Sequence, residues 1–202
     1  MLFKKKGQIK MIMLLVMVIL FYVIYRLINY FNTRHVNVPP ALLVDVIKPG
    51  SYKGVGEYSA TKSHSGGIVT TNDLIIEKGK NNSVYYTNTL IAKDKKTNKV
   101  EYNGVRKGIF FYKSNHGNQL FVESKSYIDD NIVSSQYGYA NGITNNSISF
   151  LISSTWYIDQ KIYDSTVKTL TRNGDNLSHS IYNTNKIGMK GLTIEEEYKL
   201  NK

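Results

Sequence analysis

The stretch 51–202 contains no proline, and its apolar residues recur at every second position over long segments. Around Phe150 the even positions are mostly apolar, whereas Ser149, Ser153 and Thr155 lie between them. A period of two is typical of a β-strand with one buried and one solvated face. The lack of proline suits strands whose backbone N–H groups are all needed for pairing. This part of the chain therefore predicts an antiparallel β domain.

Clusters of turn-forming residues, such as Asn81-Asn82 and Asn173-Gly174, divide the domain into about ten strands joined mainly by hairpins. Strands in simple succession leave two unpaired edges unless the sheet closes on itself. We therefore predict a mainly β fold, an antiparallel up-and-down β-barrel of about 8–10 strands. An open curved sheet and a sandwich are the alternatives.

The first predicted strand contains Gly54 and Gly56 two residues apart, and the last is the segment TIEEEYKL at 193–200. Glycines at this spacing fit a strand that bends sharply or lets a neighbour approach closely. Together with the meander of hairpins, these features resemble the calycin group of lipocalins, fatty-acid-binding proteins and nitrobindin-like domains. The resemblance implies a barrel whose interior could hold an apolar ligand. The chain lacks the Gly-x-Trp, the Arg-x-Tyr clamp and the haem-ligating histidine of those families.

Fifteen consecutive uncharged apolar or aromatic residues run from Met11 to Tyr25. With its flanks this run approaches the roughly 20 residues that cross a bilayer, so a transmembrane signal-anchor helix is predicted over 11–31. Four lysines in the tail 1–10 precede it, which predicts a cytoplasmic N-terminus and a C-terminal domain that is extracytoplasmic or lumenal. A cleaved signal peptide is the competing interpretation, but no small-x-small cleavage site follows the run.

All three prolines, Pro39, Pro40 and Pro49, fall within 32–50, which predicts an extended, semi-rigid linker before a barrel domain at 51–202. Asn81, Asn145 and Asn176 begin glycosylation sequons at predicted turns, which is compatible with a lumenal domain.

The formal net charge is +11, and six of the 26 basic residues lie within 1–40 beside no acidic residue. The rest of the chain has 20 basic and 15 acidic residues, a charge of +5. Much of the positive charge thus lies around the predicted membrane helix, where it indicates the orientation of the chain in the membrane. No nucleic-acid partner is predicted. The chain has no cysteine, which excludes disulfides and thiolate chemistry.

None of the familiar nucleophile, zinc, phosphate-loop or calcium motifs occurs in the sequence. No catalytic residue, metal site or cofactor is predicted, and an enzyme is the least favoured class.

His179 and Glu196 form the candidate site with the most specific predicted geometry. His179 falls on the apolar face of its strand, and Glu196 falls on the apolar face of the last strand. A hairpin centred near Ile187 would place the two side chains opposite each other, because they are equally distant from that centre. Such a pair could orient the polar end of a ligand. It could also be purely structural or, after a register error of one residue, lie on the surface.

Arg106 lies in mid-strand on the face of Tyr112 and is a candidate to receive a carboxylate through bidentate hydrogen bonds. Tyr112 and Trp156 complete the candidate ligand-binding set. Arg172 precedes a turn and is expected at an exposed rim.

Two functional classes follow. The first is a membrane-anchored β-barrel that binds a small apolar or amphipathic, lipid-like ligand, with the lipid bilayer as its other partner. The second is a non-enzymatic structural or interaction module, such as a viral envelope or cell-surface protein. A cavity with a polar end favours the first class, and a solid aromatic core favours the second.

Overall fold

The computed structural model describes residues 13–26, 35–58, 67–113, 117–157, 162–183 and 194–201. The chain forms two compact units, Met1–Arg34 and His35–Lys202. In the first unit a helix, α1, covers residues 13–26. Within the described ranges we find no helix with the length and apolarity that crossing a membrane requires. The anchor predicted over 11–31 extends at both ends into residues outside these ranges.

The second unit contains a short helix, α2 (Pro40–Val46), followed by ten antiparallel strands. The strands are β1 Gly50–Tyr58, β2 Ile68–Lys78, β3 Val84–Asp94, β4 Val100–Tyr112, β5 Leu120–Ile128, β6 Asn131–Ile143, β7 Ser147–Trp156, β8 Ile162–Asn173, β9 Asn176–Asn183 and β10 Ile194–Leu200. Each strand pairs with its neighbour in sequence, and β1 pairs with β10, so the sheet closes. The predicted up-and-down barrel is confirmed, and the open sheet and the sandwich are excluded.

Helix α2 corrects the prediction of an extended linker over 32–50. Pro40 occupies the first turn of the helix, where a missing N–H costs no hydrogen bond and the fixed φ favours helical geometry. Leu43 and Val46 are fully buried and belong to the same apolar core as the interior of the barrel. The segment is therefore helical because the helix packs its apolar face into the barrel.

The interior of the barrel is divided along its axis. Large apolar side chains of the core, including Phe110 and Phe150, pack together with α2 and with Ile47, which follows it. Farther from α2 the inward positions carry polar and charged side chains. The barrel thus has an apolar half beside α2 and a polar half beyond it.

Gly54 and Gly56 are the positions where β1 admits side chains from β10. A Cβ at Gly54 would collide with the ring of Tyr198, and one at Gly56 would lie 2.7 Å from Cγ of Glu196. Both glycines pair directly with those residues across the β1–β10 junction. The close approach that the Gly-x-Gly spacing predicts is therefore present, and it makes room for two polar side chains of the interior.

Candidate functional site

A cavity lies inside the barrel where the apolar half meets the polar half, and its volume is about 80 Å³. Its apolar lining includes Ile47, Leu74, Ile76, Phe110, Val122, Phe150, Ile152, Leu170 and Leu177. Its polar lining includes Tyr86, Asn88, Arg106, Ser124, Gln136, Lys168, His179, Glu196 and Tyr198. An apolar chamber with a few convergent polar groups is the usual form of a small-molecule site.

His179 and Glu196 form the centre of the polar lining. They are direct partners in the β9–β10 register, as the predicted hairpin required. Nδ1 of His179 donates to Oε2 of Glu196 at 2.9 Å, and the hydroxyl of Tyr198 donates to the same oxygen at 2.9 Å. The sequence left open whether this pair orients a ligand, is purely structural or lies on the surface. The surface arrangement is excluded, because both side chains are largely buried.

The hydrogen-bond network continues from Tyr198 into β3 and β2. Nδ2 of Asn88 donates to the Tyr198 hydroxyl at 3.3 Å and to Oδ1 of Asn72 at 3.0 Å. Nδ2 of Asn72 in turn donates to Oγ1 of Thr70 at 3.1 Å. Among the described residues, Oδ1 of buried Asn88 has no hydrogen-bond partner. This oxygen can accept a hydrogen bond from a molecule in the cavity.

Two basic side chains complete the polar lining. Nε of Arg106 donates to Oγ of Ser126 at 3.1 Å, across the β4–β5 pair. Nζ of Lys168, a residue only 8% exposed, donates to Oε1 of Gln136 at 2.6 Å. The lining therefore contains one guanidinium, one amine and one carboxyl group.

Burial and neighbouring charges shift the pKa values of three of these groups. Burial lowers the pKa of Lys168 well below its usual range, and Arg106 lowers it further, whereas Glu196 opposes the shift. Burial also lowers the pKa of His179, although its hydrogen bond to Glu196 counteracts this. For Glu196, burial raises the pKa, but the hydrogen bonds and charges of its neighbours, led by His179, bring it down to about 2. At neutral pH the site thus combines an ionised Glu196 with a neutral imidazole.

The other predicted site residues are Tyr112, Trp156 and the three sequon asparagines. Tyr112 packs against the apolar core, is absent from the cavity lining, and its hydroxyl is buried without a partner among the described residues. Burial raises the pKa of this hydroxyl to about 12. Trp156 ends β7, where it pairs with Ser134, and its side chain lies outside the described residues. The sequon residues Asn81, Asn145 and Asn176 are exposed, and their glycosylation stays a prediction.

Arg172 contradicts its predicted exposure at a rim. It is only 9% exposed and donates from Nε to the carbonyl of Val46 at 3.2 Å and from Nη2 to the hydroxyl of Tyr52 at 2.9 Å. Its guanidinium also lies over the Tyr52 ring, 5.3 Å from the centroid. The turn that follows Arg172 is at the surface, but α2 covers the interior side of this barrel end, and the side chain points under it.

Sequence reasoning missed Lys168, Asn88 and Gln136. Their positions share the inward face of their strands with apolar residues, and this alternation is the only signal that marks them. For Lys168 the signal is weak, because its face also carries Arg172 while Val167 stands on the opposite face. A polar residue at such a position is more simply interpreted as solvated.

We expect acid to destabilise the barrel through the His179–Glu196 pair. The pKa of His179 lies below the unfolded value of 6.5, so stability falls as the pH drops below 6.5, where the unfolded chain binds a proton first. The pKa of Glu196 lies at about 2 against 4.5, so a further roughly 3 kcal/mol is lost between pH 4.5 and pH 2. Urea unfolding at pH 7, 5.5, 4 and 3 measures both steps.

The variants Glu196→Gln and His179→Gln separate the two steps. Glu196→Gln will be less stable at pH 7 but will lose the steep decline below pH 4.5, because its amide does not titrate. His179→Gln will flatten the decline that begins near pH 6.5. An unchanged slope below pH 4.5 in Glu196→Gln would contradict this assignment.

No protein-family model matches this chain, and a search of curated proteins found no match. Among solved structures, the chain is similar to the crystal structure of Rv2717c from M. tuberculosis. The TM-score is 0.53 and the sequence identity is 13%, and the match covers 82% of this chain and 99% of the other. At this identity the likeness concerns the barrel fold alone.

Proposed function

We propose that the barrel binds a small amphipathic molecule, with its apolar part beside Phe110 and Phe150 and its oxygen-bearing head at the polar lining. The observation that carries the proposal is the position of the cavity, which lies at the boundary between the two halves of the interior. A purely structural module would have a completely filled aromatic core. Phe110 and Phe150 instead line a cavity. A ligand with one apolar and one polar end matches both walls.

The volume of the cavity limits the ligand. One water molecule needs about 10–15 Å³ of such space, so about 80 Å³ corresponds to a ligand of roughly five to eight non-hydrogen atoms. This favours a short aliphatic chain over a long-chain lipid. The sequence predicts a lipid-like ligand. The cavity volume limits this ligand to about the size of hexanoate.

The charges favour a head whose oxygens accept hydrogen bonds. Arg106 keeps its positive charge at any ordinary pH, and its planar guanidinium matches a carboxylate or a carbonyl oxygen. Lys168 adds N–H donors to the same lining. Glu196 stays ionised, and its hydrogen bonds from His179 and Tyr198 hold its carboxylate in place. The positive charge of Arg106 in the same lining offsets its repulsion of an anionic head.

We also infer that the N-terminal segment anchors the protein in a membrane with its barrel on the extracytoplasmic or lumenal side. The support is the uninterrupted apolar run in the sequence and the side chains of helix α1. The large apolar side chains of α1 are 44–68% exposed, so the helix needs apolar surroundings other than those it has within its own unit. The lysines before the run favour this orientation.

The variant Arg106→Gln tests the proposed head recognition. We expect hexanoate to raise the melting temperature of the full-length protein, because a ligand that binds only the folded state stabilises it. Loss of a hydrogen bond to a charged group costs about 1.5–3 kcal/mol, so Arg106→Gln will bind hexanoate at least about tenfold more weakly. Titration calorimetry with the protein in phosphatidylcholine nanodiscs measures the affinity.

Lys107→Gln is the matched control, since Lys107 neighbours Arg106 in β4 but is exposed on the outer face. It will bind hexanoate as the unmodified protein does. Hexanol, which has the same chain without the carboxylate, will bind more weakly to the unmodified protein and equally to both variants. Equal hexanoate affinity of Arg106→Gln and Lys107→Gln would refute the proposed role of Arg106.

A further inference from the structure

Lys168 is an amine buried inside the barrel. It lines the cavity, pairs with Phe150 across the β7–β8 register and is only 8% exposed. Among the described residues, its Nζ donates to the neutral amide oxygen of Gln136 rather than to a carboxylate. A buried ammonium without a directly bonded counter-ion is costly, so stability alone does not account for a lysine at this position.

The surroundings of Lys168 favour its neutral form. Burial and the positive charge of Arg106 both lower its pKa well below the usual range of a lysine. Each unit by which the pKa falls raises the neutral fraction about tenfold at a given pH below it. The neutral amine is the nucleophilic form, and lysines made reactive by burial beside another cation form Schiff bases with carbonyl compounds.

We propose that Lys168 binds small aliphatic aldehydes covalently, as an imine formed within the cavity. The inference rests on the proposed function, because it places the aldehyde carbonyl where that function places the polar head. The aliphatic chain then lies beside Phe150, the direct cross-strand neighbour of Lys168.

The reaction needs no oxidant or reductant. The lone pair of Nζ attacks the carbonyl carbon, a C–N bond forms as the π bond of the carbonyl group breaks, and one of the two Nζ protons passes to the oxygen to give a neutral carbinolamine. The second Nζ proton then passes to the hydroxyl group, the C–O bond breaks, and the oxygen leaves as water while the C=N bond forms. When the imine is protonated, the carboxylate of Glu196 in the same cavity lining compensates its positive charge.

Reductive trapping tests the proposal. The full-length protein in phosphatidylcholine nanodiscs, whose lipids have no primary amine, is treated with hexanal and cyanoborohydride at pH 7.5. Intact-mass analysis and peptide mapping then locate the hexyl groups. We expect a single fast addition at Lys168, at least about tenfold faster than at an exposed lysine, because exposed amines stay protonated.

Two variants and one competitor complete the experiment. Lys168→Gln, which keeps a side chain that can bond Gln136, will lose the fast addition, whereas Lys125→Gln, which removes an exposed lysine of β5, will keep it. Saturating hexanoate will protect Lys168 of the unmodified protein but not the exposed lysines. Peptide mapping of the unmodified protein needs no substitution, so it decides whether Lys168 forms the imine even if Lys168→Gln does not fold.

Hexyl groups spread over exposed lysines with Lys168 unmodified would overturn the imine proposal. If hexanoate still binds in that case, the proposed function stands without the covalent step. If Lys168 is labelled but hexanoate neither binds nor protects, the imine proposal stands and recognition of a carboxylate head by Arg106 fails.

Discussion

Replacing Phe150 with alanine will destabilise the barrel by about 3–5 kcal/mol. Phe150 is 1% exposed, packs against Phe110 with ring centroids 5.3 Å apart, and belongs to the core that also contains Val46 of helix α2. Its loss removes the buried apolar surface of the ring and leaves a void that the surrounding barrel wall cannot close. Chemical denaturation of the full-length protein measures the change in the free energy of unfolding.

We expect the same variant to prefer longer ligands than the unmodified protein does. Phe150 lines the cavity, so its truncation enlarges the apolar chamber and should favour aliphatic carboxylates longer than hexanoate. Val55→Ala is the control, because Val55 is 61% exposed on β1 and its truncation should cost less than about 0.5 kcal/mol. A loss of stability no larger than that of Val55→Ala would show that Phe150 is not part of the core.

Replacing Arg172 with methionine will cost about 2–4 kcal/mol. The guanidinium donates to the Val46 carbonyl at the end of α2, to the Tyr52 hydroxyl and, at 3.3 Å, to the carbonyl of Asp175. Methionine fills much of the volume but leaves the buried Val46 carbonyl and Tyr52 hydroxyl without this donor, at roughly 1–3 kcal/mol for each buried group left unsatisfied. Tyr52 keeps its own hydrogen bond to the Lys48 carbonyl, so we expect the lower part of the summed range. Urea unfolding at pH 7 measures the loss.

Proteolysis will show where the Arg172 variant loosens. Because the hydrogen bonds of Arg172 fasten α2 to the barrel, we expect cleavage within residues 35–47 to accelerate before the strands become accessible. Lys53→Met, which removes an exposed charge next to Tyr52 on β1, will leave both stability and cleavage nearly unchanged. Unchanged cleavage near α2 in Arg172→Met would contradict the fastening role.

The sequence was sufficient to predict the barrel because its information is local and repeated. The period of two fixes which face of each strand is buried, and the turn clusters fix the order of the hairpins. The opposition of His179 and Glu196 followed from the same rule, since two inward residues equidistant from a hairpin centre must face each other. The spacing of Gly54 and Gly56 likewise indicated a close approach that Tyr198 and Glu196 supply.

The features that could not be predicted depend on tertiary packing. Helix α2 exists because its apolar face has a barrel end to cover, and the prolines of the linker do not reveal that partner. Arg172 is buried because α2 lies over it, although a turn follows directly in the sequence. Lys168 was missed because burial of an amine opposes the general rule that lysines stay in water.

The pairing of the first strand with the last gives this protein a late-assembling site. Glu196 and Tyr198 lie on β10, the last strand of the barrel, whereas their partners Gly56 and Asn88 lie on β1 and β3. Contacts between such distant parts of a chain form slowly, because the loop between them must first be closed. During synthesis the earlier strands therefore emerge without the network that completes the pocket. Under the proposed function, a ligand can therefore bind only after β10 has paired with both β1 and β9.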